Sequence, residues 1–109
     1  MHRQFENLKV ADGDPVLARD IQDALTAAPL VFGDGATQTF TAEGKTTYVE
    51  NSQPTQGEWS IVGDGAFSSF WPPDYRATYN IRWIVKGGAI TGLSFIQVES
   101  SERFDGRYE

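Results

Sequence analysis

The sequence predicts a mostly β protein, an antiparallel up-and-down β-barrel of about seven or eight strands with one N-terminal α-helix covering one end. One helical pattern near the start is followed only by strand patterns. Short turns that contain glycine join these strands, which places neighbouring strands antiparallel. Closing such a meander into a barrel removes both of its open edges. The 109 residues suit a single domain, residues 1–109.

The helix is predicted over about residues 15–28. Asp14 is a good N-cap, Pro15 suits the first helical position, and Pro29 ends the segment. An apolar residue recurs at every fourth position, at Leu17, Ile21 and Leu25. This spacing gives one apolar stripe, so we expect the helix to pack on the rest of the domain.

Strands are expected from about residue 30 to residue 108. The clearest one alternates between apolar and polar residues, with Ala77, Tyr79, Ile81, Trp83 and Val85 on one face. Residues 51–56 are polar and include a proline, so a loop is predicted there. Gly92 indicates a bulge or bend in the strand that follows the Gly87-Gly88 turn.

Composition excludes several classes of function. The 15 acidic residues exceed the 9 basic ones, for a net charge of −6, which argues against nucleic acid as a partner. No apolar run approaches the roughly 20 residues that span a membrane. The first residues lack the apolar core of a signal peptide, which favours the cytoplasm, with a mature exported domain as the alternative. With no cysteine and only His2 as histidine, no metal site, His-based catalytic site or cofactor is predicted.

Two segments resemble a known pattern. Phe40 to Tyr48 (FTAEGKTTY) and Gly57 to Asp64 (GEWSIVGD) give Phe, a turn ending in Gly, an aromatic residue, and then Gly-x-Trp leading to a Gly-Asp turn. This pattern is similar to that of small bacterial lipocalin-like (calycin-type) domains of uncharacterised function. The resemblance covers about a quarter of the chain and implies a barrel in which Gly57 lets the backbone pass close to a large ring.

Aromatic residues are concentrated between positions 59 and 83, which hold seven of the fourteen in the chain. We expect those that face inward to line a pocket for a small apolar or amphipathic molecule. The candidate ligand-binding residues are Trp59, Phe70, Trp71, Tyr79, Trp83 and Phe95. A packed aromatic core is the alternative interpretation, because a small barrel can be filled by its own side chains.

Two other functions stay open at this stage. A filled barrel could act through a protein partner or as a homodimer, with Leu30-Val31-Phe32 or Ile84 in an outer patch. An enzyme of this size would need a carboxylate pointing inward beside Tyr79, and no pair of acidic residues is forced into such a position. No catalytic residue is therefore predicted.

Overall fold

The computed structural model of the protein describes Phe5 and residues 8–109, so His2 lies outside the described residues. Within these ranges, one α-helix precedes eight strands. The strands are β1 (Leu30–Phe32), β2 (Thr37–Phe40), β3 (Lys45–Glu50), β4 (Gln53–Val62), β5 (Ala66–Trp71), β6 (Tyr75–Lys86), β7 (Ala89–Gln97) and β8 (Arg103–Tyr108).

The strands form a closed barrel in chain order. Each one pairs antiparallel with the next, and β8 closes the barrel by pairing with β1, where Leu30 lies opposite Tyr108. The predicted mostly β, antiparallel up-and-down barrel with one helix near the N-terminus is confirmed. Closure pairs the first and last strands of the meander with each other, so neither β1 nor β8 is left as an open edge strand.

The helix α1 (Ala18–Thr26) is shorter at both ends than the predicted 15–28. Leu17 occupies the N-cap and makes no side-chain capping bond there. The carboxylate of Asp14 instead accepts a hydrogen bond from the backbone N–H of Ala11, 2.8 Å away. Pro15 bridges to Arg82 of β6 rather than starting the helix.

Pairing with the barrel explains the late start of α1. The N–H of Gly13 donates to the carbonyl of Trp83, the N–H of Trp83 donates to the carbonyl of Asp14, and the N–H of Val16 donates to the carbonyl of Ile81. Strand β5 pairs with β6 no further along than Tyr79, so this part of β6 has a free edge on one side. Because buried backbone groups must be paired, residues 13–16 stay extended and the helix begins after them.

One end of the barrel is covered by α1. Its Ile21, Ala24 and Leu25 are fully buried in the main core. At the end of β8, the hydroxyl of Tyr108 donates a hydrogen bond to the carbonyl of Ala24 and so ties the helix to the closing strand. We call this region the closed end.

The β3–β4 hairpin corrects the predicted loop over residues 51–56. Strand β4 begins at Gln53, and Pro54 lies opposite Val49 of β3. The turn consists of Asn51 and Ser52, which both have positive φ (52° and 65°). Two such residues form the tight connection favoured in hairpins. Because β5 pairs with β4 only from Glu58 onward, the part of β4 that contains Pro54 has β3 as its one neighbouring strand. The missing N–H of proline is tolerated at such an edge.

The expected irregularity at Gly92 is present. Ile84 of β6 lies opposite Gly92, but the next residue, Val85, lies opposite Ile90, so the register shifts by one residue. A Cβ atom at position 92 would stand 2.0 Å from the carbonyl oxygen of Gly106 in β8. Glycine is therefore required there by the close approach of β7 and β8.

Candidate functional site

The two ends of the barrel interior differ in packing. At the closed end the interior is filled by large side chains, and Trp83, Leu30 and Leu93 are at most 1% exposed. At the opposite end lies a cavity of about 530 Å³, which we call the cup. The cup is lined by Phe32, Gly33, Asp34, Gln38, Tyr48, Phe67, Ser69, Trp71, Tyr79, Phe95, Arg103, Phe104 and Asp105.

Three aromatic side chains form one side of the cup. The ring of Tyr48 lies between those of Phe32 and Trp71, with both pairs of ring centroids 6.4 Å apart. The Tyr48–Trp71 pair meets edge to face at 72°, an arrangement that ring quadrupoles favour. All three residues are half-buried, so each ring offers part of its surface to the cup.

Four further rings complete the wall. Tyr79 contacts Phe67, Phe95 and Phe104, with centroid distances of 6.0, 6.3 and 6.3 Å. Strand pairing sets this group, because Phe67 lies opposite Tyr79 and Phe95 lies opposite Phe104. Directly opposite residues point to the same face of a sheet, so all four side chains face the interior.

Gly57 sets the position of Trp71. A Cβ atom at residue 57 would lie 2.5 Å from Cε3 of Trp71 and 2.8 Å from the carbonyl oxygen of Phe70. The six-membered ring of the indole therefore approaches the backbone of β4 so closely at Gly57 that only glycine leaves room for it. The expected close passage of a ring at Gly57 is present, and the ring is that of Trp71.

Polar groups are few inside the cup. Gln38 donates from Nε2 to the hydroxyl of Thr46 over 2.9 Å, and that hydroxyl donates to the carbonyl of Thr39 over 2.8 Å, which fixes the amide. Among the described residues, no protein group is hydrogen-bonded to the phenolic hydroxyls of Tyr48 and Tyr79. These hydroxyls can therefore serve a bound molecule as donors or acceptors.

Charged groups lie at the rim of the cup. Nε of Arg103 donates to Oδ1 of Asp105 over 2.8 Å, and the hydroxyl of Ser94 donates to the same oxygen over 2.6 Å. Partial burial raises the pKa of Asp105, but the hydrogen bonds from Arg103 and Ser94 outweigh it and lower the pKa below its usual value. Asp34, in the β1–β2 turn, accepts a hydrogen bond from the backbone N–H of Ala36 and has no ion-pair partner among the described residues.

Burial, together with nearby acidic groups, raises the pKa of both phenols in the wall of the cup. Burial raises the pKa of the Tyr48 phenol, and the nearby carboxylates of Asp34 and Glu50 raise it further. Burial also raises the pKa of Tyr79, with smaller contributions from Tyr75 and Glu102. Both phenols therefore stay protonated at neutral pH and able to donate hydrogen bonds.

The structure places three of the six predicted site residues in the cup and three elsewhere. Trp71, Tyr79 and Phe95 line it. Trp59 is buried nearer the closed end, where its indole N–H donates to the carbonyl of Thr41 over 2.9 Å. Trp83 is buried in the closed end, and Phe70 lies on the outer face of the barrel beneath the guanidinium of Arg76, 4.7 Å from its ring centroid.

Several lining residues escaped prediction from the sequence. Phe32 was expected in an outer patch, but it alternates with Val31 and turns into the barrel. Tyr48 lies on a strand in which polar residues occupy both faces, so alternation gives no signal there. The useful signal is pairing register, because Tyr48 lies opposite Gln38, which in turn follows from the hairpin at Glu43-Gly44.

No protein-family model matches the chain, and neither a curated protein nor a solved structure matches it significantly. Within the described ranges, no α-helix combines the length and the apolar character needed to cross a bilayer.

The carboxylates that line the cup are those of Asp34 and Asp105, both at its rim. The cup and its lining are therefore the observations that bear on function.

Proposed function

We propose that this protein is a lipocalin-like binding module that holds a small apolar or amphipathic molecule in the cup. The observation that carries the proposal is a cavity of about 530 Å³ whose wall contains seven aromatic rings. This volume lies within the range of roughly 300–1,000 Å³ typical of small-molecule sites. Aromatic walls favour a ligand with a flat or apolar body, since stacking adds to the gain from burying apolar surface.

The contrast between the two ends of the barrel supports a pocket over a packed core. The closed end is filled by side chains such as Leu25, Leu30 and Trp83, which are at most 1% exposed. The rings at the other end stand against the wall and leave the centre open. A small barrel can be filled by its own residues, so an unfilled half is a feature that a ligand would explain.

A homodimer through the outer face has weaker support. Of the expected outer residues, Leu30 is fully buried and Phe32 lines the cup, which leaves Val31 and Ile84, both only partly exposed. Apolar residues scattered singly on a surface are normal and indicate no interface. We therefore propose ligand binding as the function.

Binding of N-phenyl-1-naphthylamine, an uncharged dye with an apolar aromatic body, tests the proposal. We expect saturable one-to-one binding with a Kd of about 1–100 μM, as ligand-efficiency arguments give for a molecule of this size. Emission of the dye should rise on binding while tryptophan emission falls, because Trp71 lies in the wall of the cup.

Ser69→Phe fills the cup, since Ser69 lines it and is buried. Ser60→Phe is the matched control, because the same side chain is then added to an exposed position on the adjacent strand. We expect Ser69→Phe to weaken dye binding at least tenfold and Ser60→Phe to leave it unchanged. If Ser69→Phe fails to fold, Trp71→Ala, which removes one wall, should weaken binding as well. Absence of saturable binding to the wild type, or equal binding by folded Ser69→Phe, contradicts the proposal.

A further inference from the structure

We propose that the molecule held in the cup is an organic cation, with its positive charge against Phe32, Tyr48 and Trp71 and with Asp34 as its counter-ion. This inference rests on the proposed function and narrows it to one class of ligand. It joins two independent features of the same site, which are the arrangement of three rings and the balance of charges at the rim.

The three rings are neighbours in the wall of the cup. Tyr48 is flanked by Phe32 and Trp71 at 6.4 Å on either side, and all three rings belong to the wall of the cup. The faces of aromatic rings carry negative electrostatic potential and attract ammonium groups. Several rings around one point are the usual protein solution for binding a quaternary or substituted ammonium.

The balance of charges points the same way. Of the residues that the structure describes, two carboxylates, of Asp34 and Asp105, and one guanidinium, of Arg103, line the cup, and together they have a formal charge of −1. Arg103 is bound to Asp105 by a 2.8 Å hydrogen bond, and the two charges compensate each other. Among the described residues, Asp34 has no cation paired with it, and it lies in the turn that directly follows Phe32. The exposed carboxylate of Asp34 is therefore available to pair with a positively charged ligand at the mouth of the cup.

Further acidic groups around the cup add to its negative charge. The carboxylates of Asp34 and Glu50 act on the phenol of Tyr48, and that of Glu102 acts on the phenol of Tyr79, in each case raising its pKa in addition to the effect of burial. The whole chain has a net charge of −6, so its field also attracts cations toward the mouth.

Three naphthalene probes of similar size and different charge test the inference. They are (2-naphthylmethyl)trimethylammonium, 2-naphthylacetate and 2-naphthylethanol, measured by isothermal titration calorimetry at low ionic strength. We expect the cation to bind roughly 2- to 30-fold more tightly than the neutral alcohol, the range that a cation–π contact gives. The anion should bind most weakly, and added salt should reduce the preference for the cation.

Asp34→Asn removes the proposed counter-ion and keeps an oxygen that can accept the hydrogen bond from Ala36. Asp64→Asn is the matched control, because it makes the same change in net charge at an exposed aspartate in the β4–β5 turn. We expect Asp34→Asn to weaken binding of the cation at least threefold and to leave binding of the alcohol unchanged. Asp64→Asn should leave both affinities within twofold of the wild type.

The outcomes separate this inference from the proposed function. If all three probes bind with equal affinity, or if the anion binds best through the terminal nitrogens of Arg103, the cup is a binding site but not one for cations. Binding of the cation by Asp34→Asn as tightly as by the wild type would show that Asp34 is not the counter-ion and would overturn the inference. If none of the probes binds and the uncharged dye does not bind either, the proposed function itself fails.

Discussion

Gly57 and Trp71 illustrate how a single residue shapes the wall of the cup. Position 57 faces the barrel interior, and the indole of Trp71 occupies the place that a Cβ atom would take, 2.5 Å from Cε3. We expect Gly57→Ala to displace this ring and to lower the free energy of unfolding by about 1–3 kcal/mol, the usual cost of overpacking. Urea unfolding gives the free energy, and near-ultraviolet circular dichroism reports the displaced indole.

Gly33→Ala is the control for this substitution. A Cβ atom at position 33 meets nothing within 4 Å, and the backbone there is not in the left-handed region, so we expect a change within about 0.5 kcal/mol. Equal effects of the two substitutions would show that the Gly57–Trp71 contact is not the cause. Full stability of Gly57→Ala would contradict the geometry described for the wall.

At the scale of elements, the alternation of apolar and polar residues predicted which face of a strand each side chain occupies. The alternation from Ala77 to Val85 placed Tyr79, Ile81 and Trp83 on one face of β6, and this face is the interior of the barrel. Periodicity does not show how far along the barrel axis a residue lies. For that reason Tyr79 lines the cup, whereas Trp83, four residues later on the same face, is buried in the closed end.

The start of helix α1 was predicted wrongly from the local sequence. Asp14 and Pro15 form a good local start signal, but residues 13–16 bond to the free edge of β6. Tertiary pairing therefore outweighs a capping preference of about 1 kcal/mol.

The polar rim of the cup could not be predicted from the sequence either. Asp34 and Arg103 come from a turn and a strand end far apart in the sequence, and only barrel closure brings them together.

The bond between helix α1 and strand β8 leads to a prediction about alkaline pH. Burial raises the pKa of Tyr108, whose hydroxyl donates to the carbonyl of Ala24. An unfolded tyrosine releases its proton near pH 10, whereas the folded one holds it at that pH, so folding becomes less favourable as the pH rises above about 10. Tyr108→Phe removes the contribution of Tyr108 to this pH dependence together with the hydrogen bond.

We expect Tyr108→Phe to be about 1 kcal/mol less stable than the wild type at pH 8, owing to the lost hydrogen bond. That difference should shrink above about pH 10, reach zero near about pH 10.7 and reverse to about 1 kcal/mol in favour of Tyr108→Phe at about pH 11.5, as measured by urea unfolding at each pH. Tyr75→Phe, which removes the hydroxyl of an exposed tyrosine at the opposite end of the barrel, should change the stability at pH 8 by less than about 0.5 kcal/mol. A gap between wild type and Tyr108→Phe that stays constant over this alkaline range would contradict this prediction.

At the scale of the whole molecule, the barrel combines the long β6–β7 hairpin with a short junction at β1, which we call the seam. Strands β6 and β7 have 12 and 9 residues and form one long hairpin. Strand β1 has three residues, yet it alone closes the barrel between β2 and β8. Stability in proteins is distributed unevenly, and short elements with little pairing open first. Since Phe32 lies at the end of β1, opening of this seam would also remove one ring from the wall of the cup.

Native-state hydrogen exchange followed by NMR tests this unequal stability. We expect the Phe32 amide, which donates to the carbonyl of Ala36 over 2.8 Å, to exchange through local opening, well before the amides of the β6–β7 hairpin. Saturation with N-phenyl-1-naphthylamine at about 100 times its Kd should slow the exchange at Phe32 by up to roughly 100-fold, because the open seam would have to release the dye. Exchange of β1 at the same rate as the β6–β7 hairpin, with or without dye, would show that the barrel opens only as a whole.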